Sequence, residues 1–195
     1  MKAIVLLSDG IDSPLAYHIM KKDMECIALH FFMDGKEKIE EIMSILHGKI
    51  YLIPYEIIKK EVLKVKESYR CIICKRLMYR IAEKVAMKEG ASIIVTGENI
   101  GQVASQTLDN LNAIEESISI PVVRPLIALD KEEIINAAKE IGTYEISIRQ
   151  RRRCPIAPKK PVTRARIERV KEEERKINMD AVSMAIQSAT IRHFK

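Results

Sequence analysis

Short apolar runs alternate with amphipathic segments along most of the chain. The runs have the character of buried parallel strands and lie at residues 2–7, 26–32, 49–53, 91–96 and 121–124. Segments with apolar residues at helical spacing lie at 14–22, 36–46, 56–66, 77–88, 107–116 and 131–141. Strands that alternate with helices predict right-handed crossovers and an α/β fold with a doubly wound parallel sheet. Ligands of such sheets bind beyond the carboxyl ends of the strands.

The regular pattern stops near Glu145. Residues 147–163 combine prolines with many cations and predict an ordered basic loop, and a helix is expected from Arg164 to about Lys176. The apolar positions from 177 to 195 predict a terminal helix that packs on the body or on a second copy, so a homodimer is one expectation. No linker divides the chain. We therefore expect a main domain at 1–165 and a helical extension of the same domain at 166–195.

Composition and charge narrow the class of protein. A chain of 195 residues fits one ordinary domain, and its net charge of +6 with a pI near 9.1 favours a polyanionic partner. No apolar run approaches the roughly 18–20 residues that span a bilayer, and the N-terminus does not resemble a signal peptide, so we expect a cytoplasmic protein without a membrane partner. Cysteines in a reducing compartment are more often ligands or nucleophiles than disulfides.

A polar loop follows the first apolar run. It reads Ser-Asp-Gly-Ile-Asp-Ser at residues 8–13 and immediately precedes the first amphipathic segment. Gly10 can adopt positive φ, and the hydroxyls of Ser8 and Ser13 can point at an anion together with backbone N–H groups. The helix dipole favours negative charge at the same place. The loop therefore predicts a phosphate-binding turn between a strand and a helix.

This loop resembles the pyrophosphate-binding loop, Ser-Gly-Gly-x-Asp-Ser, of the N-type ATP pyrophosphatases. Further blocks resemble the ThiI-type tRNA sulfurtransferases, also called 4-thiouridine synthetases, over about residues 1–165. These blocks are Thr-Gly-Glu-Asn-Ile-Gly-Gln-Val-Ala-Ser-Gln-Thr at 96–107, Arg-Pro-Leu-Ile at 124–127, Asp-Lys-Glu-Glu-Ile at 130–134 and Ile-Gly-Thr-Tyr-Glu-Ile-Ser at 141–147.

The resemblance implies the fold of the PP-loop ATP pyrophosphatases, which are adenine nucleotide alpha hydrolase-like, and an ATP-dependent tRNA sulfurtransferase. In that reaction a uridine C4 oxygen, a poor leaving group, is adenylated with release of pyrophosphate, and sulfur then displaces AMP. ATP and Mg²⁺ are the implied cofactors, and Asp12 and Cys154 are the implied catalytic residues. The implied ATP-binding residues are Leu6, Leu7, Ser8, Gly10, Asp12, Ser13, His30, Phe31, Lys75, Gly97 and Gln106.

Asp9 departs from the loop pattern, because the family usually has glycine there. A carboxylate about 4 Å from a phosphate costs up to roughly 4 kcal/mol at an effective dielectric constant of 20. A side chain that points to solvent, or that helps to hold Mg²⁺, avoids this cost. We expect the site still to bind ATP. The alternative is a non-catalytic nucleotide- or cluster-binding module with a decayed loop.

Three cysteines also match family positions. Cys154 corresponds to the catalytic-loop cysteine, and Cys71 and Cys74, at the start of a helix, correspond to a pair found in archaeal-type members. There the three cysteines resemble a ligand set for a [4Fe–4S] cluster with one iron open to hydrosulfide. A zinc site, or a metal-free site in which Cys154 acts as a persulfide nucleophile, is the alternative. Cys26 lies inside an apolar run and is expected to be a buried hydrophobic residue.

Cations near the cysteines are expected to lower thiol pKa values and to attract phosphate. Lys75 and Arg76 adjoin the pair. The residues expected to contact RNA are Arg151, Arg152, Arg153, Lys159 and Lys160. Longer family members add a THUMP-containing RNA-binding portion or a sulfur-delivering rhodanese domain. We therefore expect tRNA to bind directly or through a separate THUMP-type protein, with sulfide or a donor protein supplying sulfur. A different acceptor molecule is the second enzyme hypothesis.

Overall fold

The computed structural model describes residues 1–33, 35–100, 104–149 and 154–195. Strands and helices alternate through the first three quarters of the described chain. The strands are β1 (Lys2–Leu6), β2 (Glu25–Phe32), β3 (Gly48–Pro54), β4 (Ile93–Thr96), β5 (Val122–Val123) and β6 (Thr190–Phe194). The helices are α1 (Asp12–Lys21), α2 (Glu37–Leu46), α3 (Tyr55–Val62), α4 (Arg70–Glu89), α5 (Leu108–Glu115), α6 (Lys131–Glu140), α7 (Tyr144–Ile148), α8 (Ile167–Glu174) and α9 (Asp180–Gln187).

The strands form one sheet in the order β5-β4-β1-β2-β3-β6. The first five strands of this order are parallel, which confirms the expected doubly wound α/β fold. The chain builds outward from β1 through β2 to β3, and then crosses back to place β4 on the other side of β1. The order therefore reverses between β1 and β4, and the carboxyl ends of these two strands form the topological switch point.

The two faces of the sheet carry separate hydrophobic cores. Successive side chains of a strand point to opposite faces, so Ile4 joins one core while Ala3 and Val5 join the other. Buried residues of α3, α4, α5, α8 and α9 cover the first face, and those of α1, α2, α6 and α7 cover the second. Within the described ranges, no helix is both long enough and apolar enough to cross a bilayer.

The C-terminal segment differs from the sequence prediction. A helix was expected to continue toward residue 195, but α9 ends at Gln187 and residues 190–194 form β6, antiparallel to β3. Thr190, Ile191 and Phe194 are residue types that favour strands, and Phe194 packs against the second core. Pairing with β6 also satisfies backbone groups that an edge position of β3 would leave open. Residues 166–195, which were predicted to form a helical extension, thus contain two helices and a strand.

A buried ion pair fastens α8 to the body of the fold. The Arg76 side chain on α4 is 1% exposed, and its Nε and NH2 groups donate to the two carboxylate oxygens of Glu174 on α8 at 3.0 and 2.7 Å. Arg76 NH1 donates to Glu116 at 3.1 Å, and Arg80 also donates to Glu174. Because these carboxylates bind its guanidinium, Arg76 has a structural role. The sequence analysis had instead expected it to lower the pKa values of the neighbouring thiols.

Candidate active site

The polar loop between β1 and α1 lies at the switch point. The backbone N–H of Ser8 donates to Ser13 Oγ at 2.7 Å, and the two serine hydroxyl oxygens are 2.9 Å apart. The N–H of Gly10 donates to Ser8 Oγ at 3.3 Å. These bonds fold the loop around the first turn of α1. The N-cap residue, Ile11, has an apolar side chain that cannot cap the first N–H groups, so they are suited to an anion.

Gly97 lets the end of β4 approach this loop closely. A Cβ atom at this position would lie 2.6 Å from the backbone nitrogen of Ser13 and 2.8 Å from the carbonyl carbon of Asp12. Backbone atoms cannot move aside as a flexible side chain can, so a larger residue would displace either β4 or α1. The glycine is therefore required by packing between two backbones at the centre of the site.

A pocket of about 250 Å³ opens between the loop, β4 and α4. Its lining includes most of the residues that the sequence predicted to bind ATP. These are Leu6, Ser8, Gly10, Asp12, Ser13, Lys75, Gly97 and Gln106. Met78, Tyr79, Thr96 and Glu98 complete the lining, and the sequence interpretation did not assign them to the site. The fold thus gathers residues from four separate segments at one edge of the sheet.

Leu7, His30 and Phe31 do not reach this pocket among the described residues. His30 Nδ1 donates to the carbonyl oxygen of Leu7 at 2.9 Å, which ties the end of β2 to the start of the loop. Burial lowers the pKa of His30, so the imidazole is neutral near pH 7. Phe31 packs against the first core. Their contact with a nucleotide stays a prediction.

Glu98 is the most heavily bonded side chain of the pocket. One carboxylate oxygen accepts from Lys75 Nζ at 2.6 Å. The other accepts from Tyr79 Oη at 2.8 Å, Thr96 Oγ1 at 3.1 Å and Arg124 Nε at 3.0 Å. Burial alone would raise the pKa of Glu98, but Lys75 and Arg124 lower it to about 2. The sequence did contain a signal for Glu98 as a site residue, because a charged residue directly follows the predicted strand and Gly97.

Both aspartates of the loop are paired with lysines. Asp12 Oδ1 lies 2.7 Å from Lys131 Nζ, and the Asp12 side chain also lines the pocket. Asp9 Oδ2 lies 3.3 Å from Lys38 Nζ, and Asp9 is not part of the described pocket lining. The residue that departs from the family pattern is therefore partly neutralised by a lysine and lies outside the described pocket lining.

The three predicted sulfur-site cysteines lie close enough to interact. Burial, together with the neighbouring Cys154 and Cys71, raises the pKa of Cys74 to about 12. Burial and Cys154 likewise raise the pKa of Cys71. Lys75 lowers both values, but burial outweighs it, so the expected net lowering of these two thiol pKa values was wrong. Tyr55 Oη lies 3.4 Å from Cys74 Sγ.

Accessibility separates these thiols. Cys154 is exposed, Cys71 is partly exposed and Cys74 is buried, while Cys26 is buried in β2 as expected. In the part of the chain that the structure describes, no group of three or more His, Cys, Asp or Glu side chains is arranged to hold a metal ion. The ligand set for a cluster therefore stays a prediction.

The basic loop is only partly described. Arg151, Arg152 and Arg153, which the sequence predicted to contact RNA, lie outside the described residues. Lys159 and Lys160 are exposed, and the backbone N–H of Lys159 donates to Glu67 Oε1 at 2.9 Å. Their side chains are thus placed at the surface, on the segment that also carries Cys154.

Comparison with known proteins identifies the family. The family described as "Thiamine biosynthesis protein (ThiI)" matches residues 1–179. The chain belongs to the ThiI family. A ThiI relative in Methanocaldococcus jannaschii, named "Probable tRNA sulfurtransferase", is 43% identical over 91% of the chain. A relative of the same name in Thermus thermophilus is 40% identical over 90% of it. The alignments cover 50% and 47% of these relatives, so the chain spans about half their length.

A solved structure shares the fold of this chain over its full length. It is titled "Crystal structure of a 4-thiouridine synthetase - RNA complex with bound ATP", and it superposes with a TM-score of 0.92 at 37% sequence identity. The match covers 100% of this chain and 55% of the solved one. The expected family and the PP-loop fold are both confirmed.

Proposed function

We propose that this chain is the catalytic unit of an ATP-dependent tRNA sulfurtransferase that makes 4-thiouridine. The observation that carries the proposal is the pocket at the switch point, where the serine-rich loop, Lys75 and Gln106 line one cavity. The similar solved structure is a 4-thiouridine synthetase with bound ATP, which supports a nucleotide as the occupant. The Asp9–Lys38 pair favours an intact nucleotide site over a decayed one.

The first step activates the base. The uridine C4 oxygen attacks the α-phosphorus of ATP, the bond between the α-phosphorus and its bridging oxygen breaks, and pyrophosphate leaves. The N–H groups at the start of α1 and the ammonium of Lys75 are suited to stabilise the charge that develops on the phosphates. Asp12 would hold Mg²⁺, which supplies further charge neutralisation on the phosphate oxygens, and Lys131 is the partner that Asp12 would exchange for it.

The second step delivers sulfur. A sulfur nucleophile attacks C4, the bond from C4 to the adenylated oxygen breaks, and AMP leaves. Cys71, Cys74 and Cys154 would hold a [4Fe–4S] cluster, whose open iron supplies a site for hydrosulfide. Cys154 raises the pKa of both Cys71 and Cys74, and this interaction supports a shared sulfur site. The alternatives are a zinc site and a metal-free site with a persulfide on the exposed Cys154. Elemental analysis distinguishes them, because it detects iron for the cluster, zinc for the zinc site and neither for the persulfide.

The proposal that this chain contacts tRNA rests on the positive charge of the basic loop. The exposed Lys159 and Lys160 follow Cys154 by five and six residues, and Arg151, Arg152 and Arg153 precede it directly. A basic segment beside the sulfur site suits an RNA backbone. We propose that tRNA binds to this chain directly or through a separate THUMP-type RNA-binding protein. We further propose that the protein acts in a reducing cytoplasm. Its sulfur source would be sulfide or a donor protein, and the chain would form a homodimer.

The test is 4-thiouridine formation by anaerobically reconstituted protein with tRNA, ATP, Mg²⁺ and sulfide, measured by nucleoside mass spectrometry. We expect product from the wild type and from Cys26→Ser, and a loss of product in Asp12→Asn and Cys154→Ser. Pyrophosphate release without tRNA dependence would indicate a different acceptor. Absence of both product and pyrophosphate release would contradict the proposal.

A further inference from the structure

We infer that Glu98 is a positioning residue that fixes the ammonium group of Lys75 in the nucleotide pocket. The inference rests on the proposed ATP site and adds a residue to it. Glu98 directly follows Gly97, the glycine that packs against the start of α1, so its backbone is held at the centre of the site. Its side chain is 9% exposed and forms part of the pocket wall.

The contacts of Glu98 divide between its two oxygens. Lys75 Nζ donates to Oε1 at 2.6 Å, while Tyr79, Thr96 and Arg124 all donate to Oε2. The three bonds on Oε2 come from α4, β4 and the segment after β5, so they fix the carboxylate in space. The carboxylate can therefore act as a rigid anchor for the one group bonded to Oε1.

Lys75 is a group that needs such an anchor. A lysine ammonium sits on a flexible four-carbon chain, and holding it in one place costs side-chain entropy. The bond to Glu98 uses one of the three N–H donors of the ammonium, which leaves donors for phosphate oxygens. Arg124 has a second carboxylate partner, Glu115, at 2.8 Å. Removal of Glu98 therefore affects Lys75 more than it affects Arg124.

This arrangement predicts a specific pattern of coupling. If Glu98 acts through Lys75, its loss matters only while Lys75 is present. We expect Glu98→Gln to raise the dissociation constant for ATP roughly tenfold, as for a lost hydrogen bond to a charged group. We expect the double variant Glu98→Gln/Lys75→Met to bind ATP no more weakly than Lys75→Met alone. A structural role would instead give losses that add.

The experiment is titration calorimetry of the full chain with ATP and Mg²⁺, together with thermal unfolding of each variant. Glu115→Gln is the matched control, because it removes a carboxylate from Arg124 and leaves Lys75 paired; we expect its ATP affinity to stay within about twofold of wild type. Glu98→Asp keeps the charge on a shorter side chain, and we expect intermediate affinity. This variant provides the measurement if Glu98→Gln does not fold.

Two outcomes overturn the inference alone. They are wild-type ATP affinity in Glu98→Gln and in Glu98→Asp, and additive losses in the double variant. A wild-type chain that binds no ATP overturns the proposed function as well. A chain that binds ATP with the expected coupling but makes no 4-thiouridine supports the role of Glu98 and contradicts the proposed reaction.

Discussion

Lys38 holds Asp9 by an ion pair of 3.3 Å between its Nζ and Asp9 Oδ2. The same ammonium donates to the carbonyl oxygens of Ser147 at 3.1 Å and Arg149 at 3.2 Å, so it connects the loop to the end of α7. An acidic residue in a phosphate-binding loop is thereby given a fixed cationic partner. The sequence alone places Lys38 on the second predicted helix, 29 residues after the loop aspartate, and gives no sign of this pairing.

Lys38→Met is expected to weaken ATP binding, because the Asp9 carboxylate loses its partner and repels the nucleotide. Both groups are partly exposed, so solvent screens the effect, and we expect a loss of about 1 kcal/mol, or roughly fivefold in the dissociation constant. Calorimetry with ATP and Mg²⁺ measures it. In an Asp9→Gly background the same Lys38→Met change should have no effect; an equal loss in both backgrounds would show that Lys38 acts otherwise.

Gly97→Ala is expected to destabilise the fold and to weaken ATP binding together. The new Cβ would lie 2.6 Å from the Ser13 nitrogen, and overpacking of this kind costs about 1–3 kcal/mol. Urea unfolding and calorimetry measure the two effects. Gly90→Ala is the control: its Cβ meets open space but its φ is +68°, so we expect a stability loss of about 1 kcal/mol with unchanged ATP affinity.

The repeating hydrophobic pattern predicted the parallel part of the sheet because each strand and helix carries its own local signal. The last strand was not predictable in that way. Residues 190–194 are mostly exposed, and what makes them a strand is the open edge of β3, about 140 residues earlier in the chain. The short α7 was also missed, since five residues are too few to show a helical period.

In the nucleotide pocket, too, the sequence predicted residues within contiguous motifs but not partners that are distant in the chain. The loop and Gly97 were identified because they belong to contiguous motifs. Glu98 pairs with Arg124, which lies 26 positions later in the sequence. Asp9 in the loop before α1 pairs with Lys38 on α2. Such partners follow from the order of the strands, which brings distant segments to one edge.

Arg76→Met is expected to reduce the free energy of unfolding strongly. It would leave the Glu174 carboxylate buried with much of its compensation removed, and breaking a buried ion pair from one side costs about 3–5 kcal/mol. Urea unfolding measures the loss. The double variant Arg76→Met/Glu174→Leu removes both charges and should recover part of it. If Arg76 served the thiols instead, the double variant would be no more stable, and thiol reactivity would change.

Glu98 should make stability dependent on pH in the acidic range. Its pKa is lowered from 4.5 to about 2 in the folded protein, so its contribution is complete above about pH 4.5 and is lost as the pH falls toward 2. The linked contribution is on the order of 3 kcal/mol. Urea unfolding of wild type and Glu98→Gln should therefore differ most above pH 5, and the two curves should converge at lower pH. A constant difference would show that the carboxylate does not titrate as described.

Alkylation should distinguish the cysteines in cluster-free protein. Cys154 is exposed, whereas burial raises the pKa of Cys26 to about 11 and that of Cys74 to about 12. Because the thiolate is the reactive form, we expect iodoacetamide to modify Cys154 first at neutral pH. Mass spectrometry of peptides gives the order. Reconstitution with iron and sulfide should then protect Cys154 and Cys71; unchanged labelling of both would contradict the cluster.

Cys74 and Lys75 are neighbours on α4, and they face the sulfur site and the nucleotide pocket respectively. A helix does not stretch, and one turn rises about 5.4 Å, so the backbone of α4 fixes the spacing between Lys75 and the two cysteines on the same helix. In the proposed reaction the adenylated base would be exposed to hydrolysis for as long as it travels. Two of the three proposed sulfur-site cysteines lie within about one helical turn of Lys75, so in that reaction the journey would be short.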